Sequence, residues 1–186
     1  MALHDRIRKL TYDDYVLIPD DGQRHEIIDG EHYAMPAPSR RHQRLSLELG
    51  SRLHLFVKDR RLGEVYDAPF DVLLSRHNIV QPDLMFISSE RIGIVTDDNV
   101  QGAPDLIIEI LSASTRRLDE TVKLGLYDRY SVPEYWTFDT DRKTSRVYRR
   151  TLQGLRLMAE LSAEAGDVLT TPLLPGIEIP LAEIFD

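Results

Sequence analysis

IVQPDLMFIS (residues 79–88) and APDLIIEILSASTRRLDETVKLGLYDRY (residues 103–130) decide the fold of this chain. Two apolar, strand-like runs each carry a carboxylate, and a helix-like segment with a lysine follows them. Burying an unpaired charge is costly, so apolar strands normally exclude acids. Asp83 and Glu109 break that rule and call for a chemical reason.

A divalent metal supplies one. If the two runs are neighbouring strands, Asp83 and Glu109 can point to one face and share a cation, with a backbone carbonyl near Ile110 completing the shell. Mg²⁺ prefers oxygen ligands and keeps several waters, and Mn²⁺ suits the same donors. Such an ion polarises a phosphoryl oxygen and lowers the pKa of bound water. Asp105 competes for the role, but along a regular strand it sits about 13 Å from Glu109, too far to share an ion. It is expected to anchor the strand entrance instead.

Downstream, Ser112 to Thr115 offer N-cap oxygens for a helix. In that helix Asp119, Lys123 and Tyr127 fall on one face at i, i+4 and i+8, beside an apolar row of Leu118, Val122, Leu126 and Tyr130. Asp119 and Lys123 have two readings. They form a surface ion pair of small energetic value, or Lys123 stands over the metal with Asp119 steering it.

Working outward, Thr11 and Asp14 have the form of a capping box, so a short helix begins there and ends before Pro19. HEIIDGEHYAM reads as a hairpin around Asp29-Gly30, whose turn needs positive φ at both central residues. Glu26 and Glu31 flank it, and either could overhang a site. Ser39 is the expected N-cap of a helix over residues 40–59, with an apolar stripe of Leu45, Leu49, Leu53, Phe56 and Val57. His42 lies near that stripe, where a structural role is set against proton transfer or phosphate contact. Residues 63–75 read as extended and broken at Pro69, residues 79–87 as one strand and residues 96–102 as a polar loop. Residues 133–139, 145–150 and 155–161 read as a sheet extension with one wet face. Strands interleaved with two main helices predict a mixed α/β (α+β) architecture.

Composition sets the bounds. A chain of 186 residues suits one domain, taken here as residues 1–186. Without cysteine there is no disulfide, thiol chemistry or cysteine-held zinc. The first ten residues have no apolar core of signal-peptide length, and no apolar run approaches a membrane span, so a cytoplasmic location is expected. The net charge, 23 − 31 = −8, opposes broad attraction to nucleic acid. The arginine clusters at 40–44, 116–117 and 142–150 read individually as solvated faces.

Pro82-Asp83, Glu109, Ser112-x-Ser114-Thr115, Asp119, Lys123 and Pro133-Glu134-Tyr135-Trp136, together with EIIDGE, MPAPS and His42, resemble the Uma-two family of restriction-endonuclease-like proteins. That family is grouped with the PD-(D/E)xK nucleases, and the likeness runs from about residue 11 to 185. It implies a restriction-endonuclease-like core, a mixed central β-sheet flanked by helices. It also implies a Mg²⁺-dependent endonuclease acting on DNA. Asp83 matches the motif's aspartate and Glu109 its acidic position, both metal ligands. Leu111 stands where the motif's lysine belongs, and the resemblance moves that role to Lys123 on the next helix. Glu26 corresponds to the superfamily's additional acid.

A second expectation comes from the charge of −8 and the missing Glu-x-Lys lysine: a nuclease-fold binding or interaction module. A metal phosphohydrolase of small substrates is a third. Cutting both strands of a duplex by two-fold symmetry would call for a homodimer.

Overall fold

The computed structural model describes residues 8–185, and the expectation about a signal sequence falls mostly outside them. The elements run in chain order α1 (Tyr12–Tyr15), β1 (Arg24–Ile28), β2 (Glu31–Met35), α2 (Arg40–Arg60), β3 (Gly63–Asp67), β4 (Asp71–Ser75), β5 (Asn78–Val80), β6 (Leu84–Ser88), β7 (Asn99–Gln101) and β8 (Leu106–Leu111). A π-helical turn (Leu118–Lys123) leads into α3 (Leu124–Arg129), followed by β9 (Glu134–Asp139), β10 (Thr144–Thr151), β11 (Gly154–Ser162), β12 (Val168–Leu169), β13 (Ile179–Pro180) and α4 (Leu181–Ile184). This is a mixed α+β architecture with mixed sheets flanked by helices.

The larger sheet has the order β11-β10-β9-β8-β6-β3, with β8 and β9 parallel and its other pairs antiparallel. The second sheet is β2-β1-β5-β4-β7. On one face of the larger sheet, Leu106, Ile108 and Ile110 pack with Leu45, Leu49, Leu53 and Val57 of α2. On the other, Met85, Ile87 and Ile107 meet Leu126 and Tyr127 of α3 and Val72, Val80 and Val100 of the second sheet. Strand β8 is covered on both sides, which is why LIIEIL shows no polar alternation.

The local signals decide the local structure. Ser39 Oγ accepts from the His42 N–H at 3.2 Å and caps α2. The Asp14 carboxylate accepts from both the N–H and the hydroxyl of Thr11 at 2.9 Å. Asp29 (φ 53°) and Gly30 (φ 82°) make the β1–β2 turn with the positive φ angles expected there. Among the described residues no helix is long and apolar enough to cross a membrane.

Gly63 starts β3 at φ 147°, where a Cβ would stand 2.0 Å from the Ile87 carbonyl oxygen and 2.8 Å from Ser88 Cα. Neither atom belongs to a flexible side chain, so the strand pair would have to separate. Gly63→Ala is expected to cost about 1–3 kcal/mol, read as a lower urea midpoint with unchanged m-value.

Three expectations are corrected. Residues 79–87 are two strands in different sheets, β5 and β6, separated by Gln81-Pro82-Asp83. Proline has no N–H for a ladder, and the Gln81 N–H donates to Glu26 Oε1 at 2.8 Å instead of to a strand. Asp83 therefore precedes β6 rather than lying within it. The polar stretch 96–102 contains β7, which pairs in parallel with β4. Val122 is 39% exposed, while Asp119, Lys123 and Tyr127 are buried. The π-helical turn, wider than an α-turn, and the ion pairs of Lys123 with Glu26 and Glu109 turn the polar row inward.

Candidate active site

Strand register brings the two acids together. Leu84 faces Ile108 in the antiparallel β6–β8 pair, so extending that ladder by one position sets Asp83 opposite Glu109. Opposed residues share a face, here the face of Ile107 and Met85 that α3 covers. The Ile110 N–H donates to Asp83 Oδ2 at 2.8 Å, so the backbone group seen at this carboxylate is the Ile110 amide.

Helix and sheet then deliver the cation. Lys123 Nζ lies 2.9 Å from Glu109 Oε1, 2.9 Å from Glu26 Oε1 and 3.6 Å from Asp119 Oδ1, with its side chain only 3% exposed. Of the two readings of Asp119 and Lys123, the surface pair is excluded. Tyr127 OH, one turn on, donates to the same Glu109 oxygen at 2.7 Å. Glu26 arrives from β1, where it is fully buried, whereas Glu31 is exposed and accepts from Tyr33 OH. His42, at the start of α2, places Nε2 3.0 Å from Asp83 Oδ2. Asp105 lies apart, accepting from the Ser88 N–H at 2.8 Å and from Arg91 at 2.9 Å, which is the anchoring expected of it.

Arg24 is the site residue that sequence reasoning missed. Its Nη1 donates to Asp83 Oδ1 at 3.0 Å. The signal was available, because β1 alternates with period two and Arg24 shares a face with Glu26.

These side chains line a cavity of about 220 Å³ holding four carboxylates (Asp83, Glu109, Glu26, Asp119) against two permanent cations (Arg24, Lys123). The excess negative charge shows in the pKa values. Burial pushes Glu109 up to about 8, and Asp119, Asp83 and Glu26 add to the rise against the opposing pull of Lys123. Burial likewise raises Asp119 to about 6, with Glu26 and Asp83 adding to it, although Lys123 and Thr115 pull the other way. Burial also works on Asp83, but His42, Arg24 and the Ile110 N–H outweigh it and hold that carboxyl below its usual value. For Lys123 burial disfavours the charge, yet Glu109, Glu26 and Asp119 hold its pKa well above the ordinary lysine value.

The donor set fits a hard divalent cation. It consists of carboxylate oxygens with excess negative charge, and Glu26 Oε2 is buried without a hydrogen-bond partner. Among the described residues no three acidic or histidine side chains already form a cage. Two carboxylates plus waters is the arrangement Mg²⁺ usually accepts.

Between pH 4.5 and about 8 the folded protein keeps a proton on Glu109 that the unfolded chain has released. Stability then falls as pH rises through that window, because the native state binds more protons. In EDTA the melting temperature is expected to drop across this range more steeply for wild type than for Glu109→Gln. Parallel curves would refute it.

The family model described as "Uma2: Putative restriction endonuclease" matches residues 12–182. An uncharacterized protein of Synechocystis is 28% identical over 151 residues, covering 78% of this chain and 83% of its own. A crystal structure described as a "putative nuclease belonging to DUF820", from Anabaena variabilis, aligns with a TM-score of 0.78 at 22% identity. That alignment covers 95% of this chain and 97% of the other, a likeness of fold. With nearly its whole length matched, the chain belongs to the Uma2 family of "putative restriction endonucleases".

Proposed function

We propose that the protein is a Mg²⁺-dependent endonuclease hydrolysing DNA phosphodiester bonds, with Mn²⁺ as an alternative ion. The observation that carries this reading is the buried Lys123 ammonium at 2.9 Å from Glu109, beside Asp83, in a cavity with more carboxylates than cations. Asp83 and Glu109 would hold the ion. When bound, the ion would polarise the phosphate and acidify a water ligand.

Lys123 keeps its proton, so it acts as a cation and hydrogen-bond donor rather than as a base. Facing Glu109, it is placed to orient the attacking water or to offset charge developing on the phosphate. Glu26 and Asp119 hold the ammonium from two further sides. His42 and the Ile110 N–H fix the rotation of the Asp83 carboxylate. Tyr127 does the same for Glu109, and its phenol stays protonated because burial and the nearby carboxylates raise its pKa.

The test is cleavage of plasmid and single-stranded DNA by pure protein with Mg²⁺, Mn²⁺ or EDTA. Metal-dependent nicking that disappears in Asp83→Ala and Glu109→Ala is expected, and activity surviving both changes would sink the assignment. Absence of metal binding by calorimetry, with the fold intact, would favour a nuclease-fold binding module. Turnover of nucleotides without nicking would favour a small-substrate phosphohydrolase. For double-strand cleavage we propose a homodimer, which a monomer mass in light scattering would overturn.

A further inference from the structure

Asp83 is held unevenly. Its Oδ2 accepts from two buried groups on fixed elements, the Ile110 N–H of β8 at 2.8 Å and His42 Nε2 of α2 at 3.0 Å. Its Oδ1 accepts from Arg24 Nη1 at 3.0 Å. Among the described residues that is the one hydrogen bond the Arg24 guanidinium makes.

The two cations of the site also differ in freedom. Lys123 is enclosed by three carboxylates, whereas the Arg24 side chain is 24% exposed. Arg24 lines both the 220 Å³ carboxylate cavity and a larger groove of about 610 Å³ beside it. That groove runs between α2, at Leu47 and His54, and the end of β3 with the connection that follows it, at Tyr66 and Pro69. A guanidinium presents several donors in a planar fork that matches phosphate oxygens.

We propose that Arg24 is a metal-displaced phosphate-binding residue, resting on Asp83 Oδ1 in the metal-free protein and turning to a phosphate of the nucleic-acid strand in the groove once a divalent cation claims that oxygen. The inference rests on the nuclease reading and adds a substrate contact to it. A guanidinium and a divalent cation compete for one carboxylate oxygen, and of the site's two cations only the partly exposed, singly bonded Arg24 is free to leave. The displaced charge then lies at the mouth of the groove, where an incoming phosphodiester needs a counter-charge in a protein of net charge −8.

The experiment uses full-length wild type, Arg24→Gln and Arg24→Lys, each checked for an unchanged thermal transition. Mn²⁺ affinity is measured by electron paramagnetic resonance without DNA. Oligonucleotide affinity is measured by fluorescence anisotropy with Ca²⁺, the DNA being confirmed intact afterwards. Arg24→Gln is expected to bind Mn²⁺ about tenfold more tightly, having lost a competing cation, and the oligonucleotide about tenfold more weakly. Arg24→Lys is expected to keep wild-type Mn²⁺ affinity while still binding DNA less well, because charge remains but the fork is gone. A purely structural partner of Asp83 gives the opposite metal result: weaker Mn²⁺ binding in Arg24→Gln and unaltered DNA affinity. That outcome overturns the proposal, as does no change in either affinity. Wild type that neither binds Mn²⁺ nor cuts DNA overturns the nuclease reading and this one together. Wild type that does both, with Arg24→Gln binding Mn²⁺ no tighter, overturns only the role of Arg24.

Discussion

Glu109→Gln is expected to lose metal-dependent cleavage by about a thousandfold or more while melting no lower than wild type at pH 8 in EDTA. Glutamine preserves the acceptor oxygen that Lys123 Nζ and Tyr127 OH both use, at 2.9 Å and 2.7 Å. What disappears is a charge the metal-free site holds poorly, since burial and three other carboxylates push that group up to about 8. Without the ion the same group is a burden. On the proposed function it would be a ligand once the ion binds, and metal stabilisation of a phosphoryl transition state is worth several kcal/mol, with each ~1.4 kcal/mol a factor of ten in rate. Activity and apo stability should therefore move apart, which an ordinary destabilising lesion cannot produce. The check is a plasmid-nicking rate beside a thermal melt on the same preparation. A variant that melts well below wild type, or that cleaves at a similar rate, contradicts the role given to Glu109.

The parts of the fold legible in the sequence were those fixed by short-range chemistry. Leu45, Leu49, Leu53 and Val57 face the sheet because their spacing puts them on one side of α2, and all four are buried. Asp29-Gly30 and Ser39 acted as the turn and cap their backbone needs imply. Other features are set across the chain. Apolar residues flank Gln81-Pro82-Asp83 on both sides, so residues 79–87 look continuous. The Gln81 N–H is taken by Glu26, 55 positions away, and that long-range bond marks the break. Strand β7 is three residues long and exists through its pairing with β4. Val122 was read as core because it is apolar at helical spacing. Lys123 is inside because Glu26 and Glu109 wait there, and no periodicity can report that. For the site, acids in apolar strands singled out Asp83 and Glu109, but Arg24 stayed hidden because a charge beginning a hairpin strand looks like solvated surface.

Lys123→Ala should be the most destabilising change at the site. Removing one partner of a buried ion pair leaves an uncompensated charge and costs about 3–5 kcal/mol. Here Glu26 and Glu109 each lose a 2.9 Å contact, and Asp119 loses its neighbour at 3.6 Å. For a chain of this length the loss corresponds to a fall in melting temperature of about 6–20 °C. Lys123→Met separates charge from volume, since methionine fills most of the space but supplies no cation. Both variants should fall at pH 8. At pH 5 the fall should be smaller, because Glu109 and Asp119, raised to about 8 and about 6, are already protonated there and leave less uncompensated charge when the ammonium is removed. Mn²⁺ should recover part of the loss in Lys123→Ala, because a cation that binds only the folded state stabilises it. If the proposed function holds, cleavage should nevertheless stay about 10²–10³-fold down, the scale of losing one preorganised hydrogen-bond donor to developing charge. A fall that is independent of pH and spared in Lys123→Met would make Lys123 a packing residue, and the electrostatic account of this site would fail with it.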